Sequence, residues 1–396
     1  MEQDYYKIQG FKASAVRAGL KKDNALDMAL IFSEKEAMAA GVFTANKVKA
    51  APVILSREVI QTGKARAIIA NAGNANACTG EAGAADARMT AGLVAGELDI
   101  LPEDVLVAST GVIGKPLNMD KIKHAVPALA GALSPDAFPL AAQAIMTTDT
   151  FPKLSLFDGL AGGLPYRILG IVKGAGMIMP NMATMLCFIL SDIRIDASEL
   201  QNALLSSVEA TFNRITVDGD TSTNDMVLAM ANGLADNRAL TGADLDVFSK
   251  GLESVMGELA RMIVQDGEGA TRLVSIKIKG AASPADALNA ARTVANSNLV
   301  KTALYGLDPN WGRIMAALGR SGVEMREQNV DIWFDNVQVV SGGLGKGAEQ
   351  EKKAAGIMNN KEFTIMIDLN LDSHEDRIIT CDFSHDYITI NADYRT

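Results

Sequence analysis

Thr184 follows a small residue, Ala183, and opens an apolar run, Met185–Leu190. The segment before it, Lys173-Gly-Ala-Gly-Met-Ile-Met-Pro-Asn-Met-Ala-Thr-Met185, joins that run to another, Ile168–Val172, through Gly, Pro and Asn, the residues that make turns. A Thr so placed can attack its own preceding carbonyl. The peptide bond becomes an ester, and water then frees an α-amine on the Thr. Such an amine titrates at about 7.7–8.0, so near neutral pH it can serve as base for the adjacent hydroxyl. This chemistry needs no histidine. Spacing alone, however, favours the plainer reading of Thr184 as a β-branched strand residue.

Other nucleophile systems have little to draw on. The three histidines are His124, on the charged helix surface Lys121-Ile-Lys-His124, and His374 and His385, in polar C-terminal turns; each reads as a solvated side chain. A Ser-His-Asp, Cys-His or His-metal site is poorly supported, and no metal is expected. Gly174-Ala-Gly176 lacks the third glycine of a dinucleotide fingerprint. Gly342-Gly-Leu-Gly-Lys-Gly347 lacks the spacing and the Ser/Thr of a phosphate loop and reads as a turn. Asp218-Gly-Asp220-Thr-Ser-Thr223 has its glycine in the wrong place for an EF-hand.

The net charge of −10 argues against nucleic acid, which needs a basic face. An anionic substrate would need a locally basic pocket. Cys78, Cys187 and Cys381 are far apart and odd in number, which favours a reducing compartment. The polar N-terminus has no secretory or transit pattern, and no apolar run nears the ~20 residues that span a bilayer. These features lead us to expect a cytoplasmic protein that is not bound to a membrane.

Strand-length apolar runs recur at Met28–Phe32, Arg66–Ala70, Val105–Ala108, Ile168–Val172, Met185–Leu190 and Arg272–Ile278. Helical spacing falls between them, over Glu81–Leu98, Asp136–Met146, Leu200–Thr211 and Ala243–Val264. Asp196-Ala-Ser-Glu199 reads as a capping box. The alternation predicts an α/β or α+β fold with helix-covered strands. A boundary is expected near Gly280-Ala-Ala-Ser-Pro284, dividing a catalytic region 1–280 from a smaller α/β unit 281–396. In that unit we expect helices Ala285–Asn296 and Asn310–Leu318. Strands follow at Val330–Phe334, Val337–Val340, Glu362–Asn370, Arg377–Asp382 and Tyr387–Asn391.

The motif around Thr184 resembles the self-processing site of the ornithine acetyltransferases, the bifunctional acetyltransferases of arginine biosynthesis. Other segments match in order: Gly41–Asn46, Asn71–Gly80, Ser109–Gly114, Thr147–Thr150, Val217–Asp225, Asp266–Thr271, Asp308–Arg313 and Asn391–Thr396. The likeness covers nearly the whole chain, with minor departures at Met179 and Cys187. It implies a layered α/β/β/α sandwich of the N-terminal-nucleophile type, with a smaller C-terminal α/β domain whose tail returns to the active site. It implies cleavage between Ala183 and Thr184 into chains of 183 and 213 residues, assembled as two α and two β chains. Thr184 would then be the nucleophile, with Thr110 and Gly111 as oxyanion hole. Thr147, Lys173, Glu268, Asn391 and Thr396 would hold substrate.

The implied reaction is ping-pong: Thr184 takes acetyl from N2-acetyl-L-ornithine and passes it to L-glutamate. No cofactor is expected. Acetyl-CoA would enter only as a second acetyl donor, for which no motif is readable. Two alternatives stand beside this reading. One is a self-processing aminopeptidase or amidase that gives the acyl group to water, and the other is a non-catalytic amino-acid-binding protein.

Overall fold

The computed structural model describes residues 5–179, 185–238, 240 and 242–393. The chain falls into two compact units. Unit 1 comprises the described residues within Met1–Gly174, Pro180–Asn213 and Asp220–Ile263; unit 2 comprises those within Ala175–Met179, Arg214–Gly219 and Val264–Thr396.

An eight-stranded sheet organises unit 1. Its strands are β1 (Phe11–Val16), β2 (Met28–Phe43), β3 (Lys64–Asn71), β4 (Val105–Ser109), β5 (Lys153–Ala161), β6 (Leu164–Lys173), β7 (Leu186–Ser191) and β8 (Met226–Ala231). They lie in the order β4-β3-β2-β8-β7-β6-β5, with β1 added along β2. The helices are α1 (Ala51–Ile60), α2 (Gly80–Leu98), α3 (Met119–Gly131), α4 (Phe138–Ala144), α5 (Ala197–Ala210) and α6 (Ala243–Gln265).

The long strand β2 serves both halves of this sheet. Met28–Phe32 pairs with β3, the register shifts between Phe32 and Ala37, and Met38–Phe43 pairs with β8. Alternate side chains then sort by face. Ile68 and Ala70 of β3, Leu106 and Ala108 of β4, Leu169 and Ile171 of β6, and Phe188 and Leu190 of β7 share one buried cluster. Met28, Leu30, Ile69, Val105 and Val107 instead meet Val94 of α2 and Ile122, Val126 and Leu129 of α3. Beyond the other half lies α6: a Cβ on Gly170 of β6 would come within 2.6 Å of Leu259 and 2.7 Å of Val255. Helix, sheet, sheet and helix thus succeed one another around a shared core, the layered α/β/β/α class expected.

One local expectation fails here. Asp196 precedes α5, but its side chain makes no cap bond, and Glu199 Oε2 is buried without a partner among the described residues. The capping box needs both side chains to turn back onto amides, and neither does. Only the Asp196 carbonyl is used, by the Leu200 N–H at 2.9 Å.

Unit 2 carries a six-stranded sheet of β9 (Leu273–Ala281), β10 (Asp331–Phe334), β11 (Val337–Ser341), β12 (Leu344–Gly345), β13 (Glu362–Asp368) and β14 (His374–Cys381), in the order β12-β11-β10-β13-β9-β14. Its helices are α7 (Pro284–Ala295), α8 (Asn298–Tyr305), α9 (Trp311–Gly319), α10 (Ala348–Ile357) and α11 (His385–Ala392). Ile276 and Ile278 of β9, Ile365 and Ile367 of β13, and the alanine face of α7 (Ala287, Ala290, Ala291) form its core.

Strand pairing moves the division of the chain upstream of residue 280. β9 pairs with β13 on one side and β14 on the other, so the strand before Gly280 belongs to the smaller sheet. The expected strand Tyr387–Asn391 is instead helix α11. Its Ile and Thr residues favour a strand, but Ser384 caps the segment by accepting from the Asp386 N–H. Helix α8, in the expected loop, was not anticipated.

Candidate active site

In unit 1, three of the implied residues come together. Lys173 ends β6 and is buried. Its ammonium donates to Thr147 Oγ1 at 3.0 Å and to Thr110 Oγ1 at 3.2 Å. An ammonium cannot accept, so both hydroxyls accept here and each keeps its own proton for another partner.

Thr110 directly follows β4, and its N–H donates to the Asn71 carbonyl at 2.9 Å. That leaves its hydroxyl as the group able to donate. Two more side chains pin the turn: the Ser109 hydroxyl donates to Asn71 Oδ1 at 2.6 Å, and Asn224 Nδ2 donates to the carbonyls of Ala75 at 2.6 Å and Ser109 at 2.8 Å. Gly111 has φ +130°, a conformation that favours glycine. A Cβ there would lie 2.4 Å from the Gly73 carbonyl carbon and 2.5 Å from the Asn74 nitrogen. No other residue fits.

Beneath Lys173 lies an ion pair that the sequence did not reveal. Asp149 and Lys153 are fully buried and 2.7 Å apart. Asp149 also accepts from the Gly174 N–H at 2.7 Å and the Thr147 N–H at 3.0 Å, tying together the residues around Lys173. Burial works against its charge, but Lys173, Lys153 and these bonds outweigh it and hold the carboxyl below its ordinary range. The one available signal was the motif Thr147–Thr150 with a lysine three residues on.

Motifs distant in sequence also meet. Thr44 donates its N–H to the Asp225 carbonyl at 3.0 Å and its hydroxyl to the Ser222 carbonyl at 2.9 Å. The Asn46 amide donates to the Thr221 carbonyl at 3.0 Å. Asp225 is buried, with one carboxyl oxygen lacking a partner among the described residues.

In unit 2, Glu268 and Asn391 are partners: Asn391 Nδ2 donates to Glu268 Oε2 at 2.7 Å. Helix α11 makes this contact, and its first turns are fixed by the Ser384 hydroxyl, which donates to the Gly269 carbonyl at 2.6 Å. The Glu268 N–H donates to the Ala175 carbonyl at 2.9 Å. A Cβ on Gly176 would stand 2.4 Å from the Glu268 carboxyl, so glycine makes room for that side chain. Asp218 braces the same turn, accepting from the N–H groups of Met177 at 2.6 Å and Ile178 at 2.8 Å.

Ala183, Thr184 and Thr396 lie outside the described residues. His124 and His385 are exposed, and His374 stands on β14. Among the described residues no group of three or more His, Cys, Asp or Glu is placed to hold a metal ion, and no helix is long and apolar enough to cross a membrane. Cys187 is buried, and burial pushes its thiol up, away from the reactive thiolate.

Known proteins resemble this chain along its whole length. The arginine biosynthesis bifunctional protein ArgJ of Geobacter sulfurreducens is 50% identical over 391 residues, covering 98% of this chain and 100% of the relative. A glutamate N-acetyltransferase of Methanocaldococcus jannaschii is 46% identical over 400 residues, covering 98% of this chain and 97% of its own. A crystal structure of the ArgJ protein of Bacillus halodurans is 42% identical, covers 53% of this chain and 100% of the solved chain, and superposes with a TM-score of 0.51. The pattern that describes the ArgJ family runs through residues 12–396, across every segment that supplies the residues above, and the chain belongs to that family.

Proposed function

We propose that this protein is a glutamate N-acetyltransferase of arginine biosynthesis, which moves acetyl from N2-acetyl-L-ornithine to L-glutamate through an acetyl ester on Thr184. Relatives named ArgJ and glutamate N-acetyltransferase support the activity and make the protein an acyltransferase enzyme. The observation that carries the mechanism is the joint hold of Lys173 on Thr110 and Thr147.

Thr110 offers a hydroxyl proton to the alkoxide of a tetrahedral intermediate, with the Gly111 N–H as second donor. Lys173 supplies the cation that a substrate carboxylate needs in an acidic protein. Glu268, oriented by Asn391, supplies the opposite charge for a protonated ornithine amine. Thr147 and Thr396 complete the substrate contacts. The α-amine of Thr184, freed by cleavage after Ala183, acts as base. Such cleavage would leave a C-terminal chain of 213 residues, a little over half the protein. A solved relative that is matched in full yet spans 53% of this chain is in keeping with a two-chain protein. The cleaved chains would assemble as two α and two β chains in the cytoplasm, with no cofactor and acetyl-CoA only as a second donor.

The test joins intact-mass spectrometry to an acetyl-transfer assay. Wild-type protein should show two chains, and Thr184→Ala one inactive chain. Brief exposure to acetylornithine without glutamate should add one acetyl mass to the chain beginning at Thr184. Label on Cys78 or Cys187 would overturn the nucleophile. Release of acetate at the same rate with and without glutamate would favour the amidase reading. A single uncleaved chain that binds amino acids without turnover would favour the binding protein.

A further inference from the structure

Helix α11 carries Asn391, the partner of Glu268, yet none of its residues is buried. A short helix without a packed face depends on what holds its ends. The hold begins one residue past β14. There β9 and β14 run antiparallel with Leu273 opposite Cys381, and the next residue, Asp382, is wholly buried. Asp382 Oδ1 accepts from the Thr271 N–H at 2.8 Å and the Arg272 N–H at 2.9 Å. Its Oδ2 accepts from the Thr271 hydroxyl at 2.5 Å. One carboxylate thus ties the chain leaving β14 to the chain entering β9. Glu268 lies a few residues before Thr271, and Asn391 on the helix that follows Asp382.

Lys301 of α8 holds the same corner. Its buried ammonium donates to Thr380 Oγ1 at 2.9 Å and to the Cys381 carbonyl, and its own carbonyl accepts from the Phe383 N–H at 3.2 Å. Burial pulls the Lys301 ammonium down from its ordinary pKa, and the charge of Asp382 is among those that push back. Asp382 is therefore not an isolated buried charge. Tyr387 of α11 stacks on Phe383 with 4.6 Å between ring centroids, which extends the corner into the helix. Gly269 closes the gap between loop and helix. At φ +69° a Cβ there would stand 2.6 Å from Ser384 Oγ and 2.6 Å from the Tyr387 nitrogen. A shift of the loop at Thr271 therefore moves Glu268 against α11 and Asn391.

We infer that Asp382 is a positioning residue for the acetyl donor: by fixing Thr271 and Arg272 it holds Glu268 where it meets the side-chain amine of acetylornithine. This rests on the proposed reading of Glu268 as partner of that amine. Asp382 itself touches no substrate. Its loss leaves the Glu268 charge in place and loosens its position, which a hydrogen-bonded ion pair feels steeply. Glutamate has no side-chain amine and is indifferent to that position.

The experiment measures kcat and KM for both substrates, with thermal melts, in purified full-length protein. The variants are Glu268→Gln, Asp382→Asn, Thr271→Val, Thr271→Ser and the double variant Thr271→Val/Glu268→Gln. Asp382→Asn should raise KM for acetylornithine roughly fivefold or more and leave KM for glutamate within about twofold. Thr271 is exposed and Val matches its shape, so Thr271→Val should melt normally and raise the same KM about threefold. It decides the matter alone if Asp382→Asn does not fold. Thr271→Ser, which keeps the hydroxyl, should return wild-type values. Beside Glu268→Gln, Thr271→Val should add nothing, because the charge it helps to place is gone. An unchanged KM for acetylornithine in folded Asp382→Asn or in Thr271→Val would overturn the role of Asp382 alone. So would equal rises for both substrates, or an effect of Thr271→Val that persists beside Glu268→Gln. An unchanged KM for acetylornithine in Glu268→Gln would overturn the reading of Glu268 and this inference with it.

Discussion

Lys173 and Thr110 share a 3.2 Å hydrogen bond in which only the ammonium can donate. Thr110 thus has its proton to spend on a developing alkoxide. Thr110→Val keeps the shape and deletes the proton. We expect turnover to fall roughly 100–1,000-fold, about 2.7–4 kcal/mol, with little change in KM. The assay should use protein confirmed as two chains. Unchanged turnover per folded molecule would remove Thr110 from the site.

Gly111→Ala should fail differently. The new Cβ would meet backbone atoms at 2.4 and 2.5 Å at φ +130°, and backbone cannot swing aside as a side chain can. We expect a stability loss of about 1–3 kcal/mol from strain together with lost turnover. Thermal melts beside kinetics will separate this variant from Thr110→Val, which should melt normally.

Acid should weaken unit 1 through Asp149. Its folded pKa lies below the unfolded value of about 3.9. The stability this gives is fully present above that value and is lost as pH falls through the folded pKa. Denaturant titrations from pH 7 to 2 should show it. Asp149→Asn should lack this part of the acid loss and start about 3–5 kcal/mol less stable, because a buried ammonium is left without its carboxylate.

Glu268→Gln removes a charge and keeps the Asn391 contact within reach. If Glu268 meets the side-chain amine of acetylornithine, KM for that substrate should rise at least about tenfold, while KM for glutamate, which has no side-chain amine, should change far less. Equal changes in both would assign Glu268 a purely structural part.

Much of this was readable from sequence, for identifiable reasons. The run Ile168–Val172 lies within β6, and all of Met185–Leu190 but its first residue lies within its partner β7, because long apolar runs at strand length leave little choice. Lys173 entered through the family resemblance, and its charge suited the basic pocket that an anionic substrate would need in an acidic chain. The pairing of Asp149 with Lys153 was not legible, because a four-residue spacing outside a helix says nothing about contact. Asn224 was hidden for a similar reason: its partners, Ala75 and Ser109, lie more than 100 residues away. Residues Tyr387–Asn391 misled through propensity, since a single serine cap outweighed three β-branched side chains.

The order of strands in unit 1 bears on what cleavage after Ala183 could accomplish. The C-terminal fragment would own β7 and β8, and these two sit inside the sheet. β6 borders β7 and β2 borders β8, both from the N-terminal fragment, each joint running over six residue pairs. Neither fragment could leave without unzipping two backbone ladders and opening the core between them. Cutting the peptide would create a new chain end without creating a separable part. The two chains would behave as a single cooperative body, melting together and parting only in denaturant, and neither made alone could complete the eight-stranded sheet of unit 1.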